Sequence, residues 1–318
     1  SGLVIENGAV VIRDGKIAAV GASVSIPSGA ERIDGKGLSV YPGMIDASTA
    51  MGLAEIGQGA NATLDVQEVG SLNANSKALL GVNPHSSHIN VTRVNGITSV
   101  VAQPSGGVVS GQTAIINLNG STQADMAVVP VHALVINFPR VAAGGGFGGF
   151  GGFAPPPADF GELIRRRDAA VEDLKKLFRD VEAYARMVEA YAKDKTVPTP
   201  VTSLRYEALV PYVRGQKPIY FTVERERDIR AVAKFVAETN VKGIIVGGQD
   251  AWKAAEEIGG PVVVKPTDGN HGRGVFTDLT NREEIAAAYA VARDEGSGVI
   301  VERFVPGLEH RLLVGGGR

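Results

Sequence analysis

Residues 42–50 read PGMIDASTA, directly after the apolar run Leu38–Tyr41. An apolar run that passes a Pro-Gly turn and ends on a polar residue has the pattern of a strand entering a buried sheet, and it predicts a buried strand over 39–46. Upstream, GLVIENGAVVIRDGKIAAVG (2–21) sets Asn7-Gly8 and Asp14-Gly15 between apolar runs. These are hairpin signals, because Asn, Asp and Gly tolerate positive φ, so a small β region is expected over 1–40. Downstream, 53–95 is polar and rich in Asn, Ser and Gly, which predicts a long loop with one short helix. GITSVVAQ (96–103) reads as a second buried strand, SGGVVSGQTAIINLNG (105–120) as a hairpin excursion, and MAVVPVHALVINF (126–138) as a further apolar strand.

The composition then breaks at the low-complexity stretch GGGFGGFGGFAPPP (144–157), read as a Gly/Pro-rich loop. A helix follows, since Val171, Leu174, Phe178, Val181, Ala185, Val188 and Ala192 recur every three to four residues. TVPTPVT (196–202) is a linker. KPIYFTV, DIRAVAKFVAETN, GIIVG, AWKAAEEI and PVVVK then alternate strand and helix, the signature of βα units around a parallel sheet.

The chain has 318 residues, of which 44% are hydrophobic and 21% charged, enough for one large or two medium α/β domains. A formal net charge of −2 offers no electrostatic attraction to nucleic acid or an anionic membrane, which leaves a small-molecule ligand as the expected partner. With no cysteine, disulfides, thiolate metal sites and cysteine nucleophiles are excluded. No apolar run approaches the roughly 20 residues of a membrane span. A chain beginning at Ser1, inside a strand-like pattern, implies a true N-terminus further upstream.

The β region followed by PGMIDA, MGLAEIG (51–57) and VNPHSSHINVTRVNGITSVVAQPSGGVVSGQTAIINLNG (82–120) resembles the imidazolonepropionase-like branch of the amidohydrolase superfamily, and 218–258 continues the likeness. The resemblance implies a β-sandwich subdomain (1–40) beside a (β/α) barrel (41–258), incomplete here, with a metal at the strand carboxyl ends. In the family the first strand reads IDxHxH; Ser48 and Ala50 stand at the two histidine positions. Where members carry FIHAD, this chain reads Phe221-Thr222-Val223-Glu224. Alanine cannot coordinate, so no metal is expected at the barrel site. Asp46 is all that is kept of the motif, the one candidate for a catalytic role, or else a cap on the strand end. His85 and His88, one helical turn apart in PHSSH, read as exposed rather than as ligands, His132 as a core histidine, and Glu55, Glu68, Glu224 and Glu226 as solvated or loop carboxylates.

From residue 259 the pattern changes. In GGPVVVKPTDGNHGRGV a strand ends at Lys265 and is followed by a glycine loop, where successive N–H groups can cradle phosphate and a lysine supplies a point charge. NREEIAAAYAVARDE (281–295) predicts a helix and GVIVERFV (298–305) a strand, with EHRLLV after Pro306-Gly307. The order resembles the ATP-grasp fold, most nearly the cyanophycin synthetase family of ATP-dependent amide ligases that act on aspartate and arginine. That resemblance implies ATP with Mg as cofactor. Lys265 would contact phosphates under a loop of Gly269, Asn270, His271, Gly272, Arg273 and Gly274. Glu302, Arg303 and Val305 would line the adenine pocket and Glu309 would reach the ribose, with His310 and Arg311 completing the match.

Both resemblances are partial and meet at AAEEIGG (254–260), so a chimeric or fragmentary chain is expected: an amidohydrolase-like part without the usual metal centre, either a hydrolase of C–N bonds or a degenerate relative, joined to an ATP-grasp segment (259–318). PVVVK is alternatively the next sheet strand after GIIVG. The competing functions are an ATP-dependent carboxylate–amine ligase and a non-catalytic binding protein. The compartment divides the same way, exported for the first part and cytoplasmic for the second.

Overall fold

A computed structural model describes residues 4–56, 64–141, 159–254, 262–266, 274–295 and 299–303, with the backbone alone for Trp252, Lys265, Pro266 and 300–303. Residues 4–42 form one unit and those from Gly43 onward a second. The Gly/Pro-rich loop 144–157 lies outside the described residues.

In the first unit, β1 (Ala9–Arg13) and β2 (Lys16–Gly21) pair antiparallel across a turn in which Asp14 and Gly15 take φ of 50° and 70°. Where a β-sandwich was expected over 1–40, the described residues form this single two-stranded sheet. Residues 22–42 join no strand, because Pro27-Ser28-Gly29 and Asp34-Gly35 interrupt any run long enough to pair.

The second unit begins with β3 (Met44–Thr49), which pairs parallel with β4 (Ile97–Ala102). The strand starts later than 39 and is not buried. Pro42 offers no N–H to a ladder, β3 is an edge strand, and Leu38, Val40 and Ile45 are exposed. The 105–120 stretch is not a hairpin. Its two halves, β5 (Val109–Gln112) and β6 (Ala114–Asn117), make one bent strand split between sheets. β6 runs antiparallel to β4, and β5 antiparallel to β8 (Leu134–Asn137). Thr113 holds the bend, receiving the Ala133 N–H on its hydroxyl (3.0 Å) and the His132 N–H on its carbonyl (2.8 Å).

β8 then pairs parallel with β9 (Pro218–Val223), and β9 with β10 (Lys242–Gly247). Since β4 and β8 both oppose the bent strand, β3, β4, β8, β9 and β10 share one direction in that order. The expected 126–138 strand is two pieces. β7 (Ala127–Val129) pairs with β6 in one sheet, Pro130 breaks the ladder, and β8 enters the other.

The 53–95 segment contains two helices, α1 (Ala78–Gly81) and α2 (Ser87–Val94), preceded by a strap that bridges Gln67, Leu72 and Lys77 to Ser105, Val109 and Gln112. Glycine is required where the strap crosses. A Cβ on Gly107 (φ 64°) would lie 2.7 Å from the Gly70 carbonyl oxygen, and one on Gly111 (φ 139°) 2.9 Å from that of Ser76. α3 (Gln123–Met126) is closed by a reciprocal Thr122–Asp125 capping box.

The periodic helix is α4 (Phe160–Lys193), whose Leu174, Phe178 and Val181 pack with α5 (Leu204–Val213) and α6 (Glu226–Thr239) over the outer face of the β8–β10 sheet. α6 ends because Asn240 takes the left-handed conformation (φ 54°). The opposite face of the strands holds a smaller core of Val101, Ala133, Val135 and Tyr220. Of AWKAAEEI, Ala251–Ala254 form one 3₁₀ turn, and 255–261 lie outside the described residues.

PVVVK does not extend the sheet after β10. β11 (Val262–Pro266) is the centre of a separate antiparallel sheet between β12 (Phe276–Leu279) and β13 (Val299–Arg303). One face of this sheet is covered by α7 (Arg282–Asp294), where Val262 and Val264 meet Ile285, Ala288 and Ala292. Asn281 caps α7 by accepting the Glu284 N–H at 2.9 Å. Val262 and Val264 alternate with Val263 and Lys265 along the strand, so the buried pair needs a helix on one side only, which a three-stranded sheet with its own helix supplies.

Candidate functional site

Parallel strands end on one side, and the residues just past those ends converge there whatever their distance in sequence. Ser48 is the penultimate residue of β3, Gln103 follows β4, Asn137 closes β8, and Thr222 and Glu224 flank the end of β9. The Ser48 hydroxyl donates to Gln103 Oε1 at 2.9 Å, and the Ser48 N–H to Asp46 Oδ1 at 3.1 Å. Asp46 thus bonds the local backbone. Asn137 Nδ2 donates to the Gly107 carbonyl (2.8 Å) and to Ser110 Oγ (3.1 Å). Glu224 Oε2 accepts the Gln249 N–H at 3.2 Å, and a side chain at Gly247 would collide with that carboxylate. The Thr222 hydroxyl is buried without a hydrogen-bond partner.

This donor set, two hydroxyls, two amides and the carboxylates Asp46 and Glu224, does not fit an imidazole-rich metal centre. Among the described residues no three His, Asp or Glu side chains gather to hold a metal. His85 and His88 do not supply one. His88 Nε2 lies 2.9 Å from the Glu55 carbonyl oxygen, while the Glu55 carboxylate accepts from Asn83 Nδ2 (3.1 Å) and Ser86 Oγ (2.9 Å). Of the two readings, Glu55 is the loop carboxylate, and it clamps the entry to α2. The sequence carries no signal for this pairing across about thirty residues. Glu226 pairs with Arg230 at 3.0 Å within α6.

His132 sits at the opposite, amino end of β8, its Nε2 3.4 Å from the Tyr220 hydroxyl and its ring edge-on to that ring. Burial, with the charge of Lys217 second, holds its pKa below the ordinary 6.5. A depressed histidine pKa means that the unfolded chain takes the proton first. The associated stability is complete above pH 6.5 and is lost as pH falls through the folded-state value. We expect the melting temperature of the protein to fall between about pH 6.5 and 5 by more than that of His132→Gln, a comparison made by calorimetry. Parallel curves would show that His132 is not the group responsible.

In the C-terminal segment, the register sets Lys265 opposite Ile300 and Glu302 opposite Val263 on the adjacent strand. Directly opposed residues share a face, so positions 265 and 302 fall on the face of β11–β13 away from the α7-covered valines. Gly274 (φ 70°) precedes β12 and passes against α7, where a Cβ would stand 3.2 Å from Ala292 Cα. Gly269, Asn270, His271, Gly272, Arg273, Val305 and Glu309 lie outside the described residues, as do His310 and Arg311. Of these, 269–273 fall in sequence between the antiparallel pair β11 and β12, and the others follow β13.

Comparison with known proteins finds two likenesses. Residues 225–311 match the family described as carbamoyl-phosphate synthase L chain, ATP binding domain. The cyanophycin synthetase of Trichormus variabilis is 34% identical over 165 residues, 46% of this chain and 18% of that protein. That of Synechocystis is 46% identical over 72 residues, 22% of this chain and 8% of its own. The chain therefore spans under a fifth of the length of these relatives. In fold it is similar to an amidohydrolase from Thermotoga maritima, with a TM-score of 0.65 and 23% identity, covering 79% of this chain and 62% of that one. The chain thus joins an amidohydrolase-like fold to a segment like the ATP-grasp part of cyanophycin synthetase. The shares covered by the two likenesses exceed the whole, so they overlap.

Proposed function

We propose that this chain is an amidohydrolase-like body without a metal centre (41–258, an incomplete (β/α) barrel after the β region 1–40), joined at about residue 259 to an ATP-grasp segment, and that its activity is nucleotide binding by that segment. The match of 225–311 to an ATP-binding family carries the reading, because it spans Lys265, the glycine loop and Glu302 together. The register of β11 and β13 supports it by bringing Lys265 and Glu302 onto neighbouring strands. Lys265 would balance phosphate charge, the N–H groups of 269–274 would cradle phosphate oxygens, Glu302, Arg303 and Val305 would border the base, and Glu309 the ribose. Bound with Mg, ATP supplies a phosphoryl group able to activate a carboxylate for amide formation. Titration calorimetry with Mg–ATP is expected to show a Kd of about 1 mM, or about −4 kcal/mol. No heat at tenfold higher nucleotide overturns the proposal.

A second reading, an ATP-dependent carboxylate–amine ligase, is favoured by the cyanophycin synthetase alignment. At 46% of the chain it extends well beyond the sixty residues after 258. Phosphate release that requires both aspartate and arginine would select it.

The body has its own test. Elemental analysis of the purified chain should find far less than one zinc per molecule. Ser48→His with Ala50→His should add no amide hydrolysis, since Phe221-Thr222-Val223-Glu224 at the end of β9 carries no histidine where the resembled family reads FIHAD. Stoichiometric zinc, lost on His85→Ala or His88→Ala, would refute the metal-free reading.

A further inference from the structure

A cleft of about 530 Å³ lies between the strap and the start of α5, lined by Glu68, Asn73, Asn75, Ser76, Ser203 and Arg205, among others. It belongs to the outer layer. Leu72 and Ala74 of the strap pack with Leu209 and Tyr212 of α5, on the helix-covered side of the sheet. A smaller cavity of about 240 Å³ shares Glu68, Asn75 and Ser76 and adds Asp65 and Lys77, so the cleft continues along the strap as a groove.

The walls of this groove are held in place by the fold. Asn73 is buried, its amide donates to the Gly70 carbonyl at 3.2 Å, and its N–H is bonded to Val109. The Ser76 carbonyl accepts from Gln112, and Ser203 is held by the Tyr184 hydroxyl and by its own cap on Tyr206. Against these fixed walls stand two unlike charges, the Glu68 carboxylate and the Arg205 guanidinium, neither in a salt bridge among the described residues. The neighbouring cavity repeats the theme with Asp65 and Lys77. Opposite charges left apart across a polar cleft of ligand size complement a molecule that carries both signs itself. Amides and hydroxyls between them suit peptide-like donors and acceptors.

We propose that this groove binds a small zwitterion of the α-amino acid or short-peptide class, with its ammonium at Glu68 and its carboxylate at Arg205. The site's residues lie outside the ATP-grasp segment, and it stands whether or not nucleotide is bound. The test uses glycylglycine and triglycine as probes, with N-acetyl-glycinamide as the uncharged control, in ligand-observed saturation-transfer NMR on the full chain. Both peptides are expected to bind with Kd of about 1 mM and the control not to bind. Glu68→Gln and Arg205→Gln, both exposed substitutions that leave the strap backbone unchanged, should each weaken binding about tenfold. Asp46→Asn, at the strand ends, should leave it unchanged. No signal from either peptide at 20-fold that concentration, equal signal from the control, or binding indifferent to both charge removals overturns the proposal.

Discussion

Lys265→Ala is expected to abolish nucleotide binding, and Lys253→Ala to leave it as it was. Lys265 lies on the central strand of the β11–β13 sheet, at the end that leads into the glycine loop. Removing its ammonium leaves phosphate charge with no compensating side chain on the strand. At a starting affinity of about 1 mM, a further loss of 1.4 kcal/mol or more moves Kd beyond about 10 mM. The backbone register with Ile300 does not depend on the side chain, so the thermal midpoint should stay the same and separate lost binding from lost folding. Lys253, in the 3₁₀ turn before the segment, pairs with Asp250 at 2.9 Å, a partly exposed surface pair of small energetic value. Equal binding by the protein and Lys265→Ala would remove the site from the glycine loop. Equal loss in both variants would mean that general positive charge, not the loop, attracts the nucleotide.

Phe235→Ala is expected to be the most damaging single substitution in the body. Phe235 is 1% exposed on the buried face of α6, and its ring stands edge-on to Phe178 at 5.2 Å and to Phe138 and Phe221 at 5.8 Å each. It therefore joins α4, α6 and the β8–β9 sheet at one point. Truncating such a ring costs about 3–5 kcal/mol, from lost transfer energy and the cavity left behind. Edge-to-face contacts add further to that loss. Against a total of about 5–15 kcal/mol this is a large fraction. At about 2–4 °C per kcal/mol, the thermal midpoint should fall by roughly 10 °C. Phe235→Leu should recover much of the difference. A shift below about 3 °C on Phe235→Ala would show that the three layers are not coupled through this ring.

The local features were written in the sequence and needed no partner. The three-to-four-residue apolar recurrence yields α4 and α6, Asn240 stops α6, and Asn7 and Asp14 take the positive φ their turns demand. That Ser48 and Ala50 carry no imidazole is equally plain from residue identity. So is the change to Lys265 and a glycine loop. These depend on backbone preference and on contacts within about one helical turn, which neighbouring residues alone determine.

Only the tertiary structure decided the rest. The 105–120 stretch has the composition of a hairpin, yet Thr113 bends it so that its halves serve two sheets. That outcome rests on hydrogen bonds to residues 132 and 133, not on its own turn chemistry. Ser48 met Gln103 across 55 residues because the parallel strands β3 and β4 carry their ends to the same side, and Glu55 met Asn83 and Ser86 because the segment after β3 lies against the entry to α2. The strand 262–266 turned away from β10 into its own sheet, because α7 and β13 offered Val262 and Val264 a face to cover. Apolar periodicity states that a residue must be covered but not by what. The covering partner is selected by strand register and by which surfaces the connecting segments can bring together, and both are properties of the folded chain.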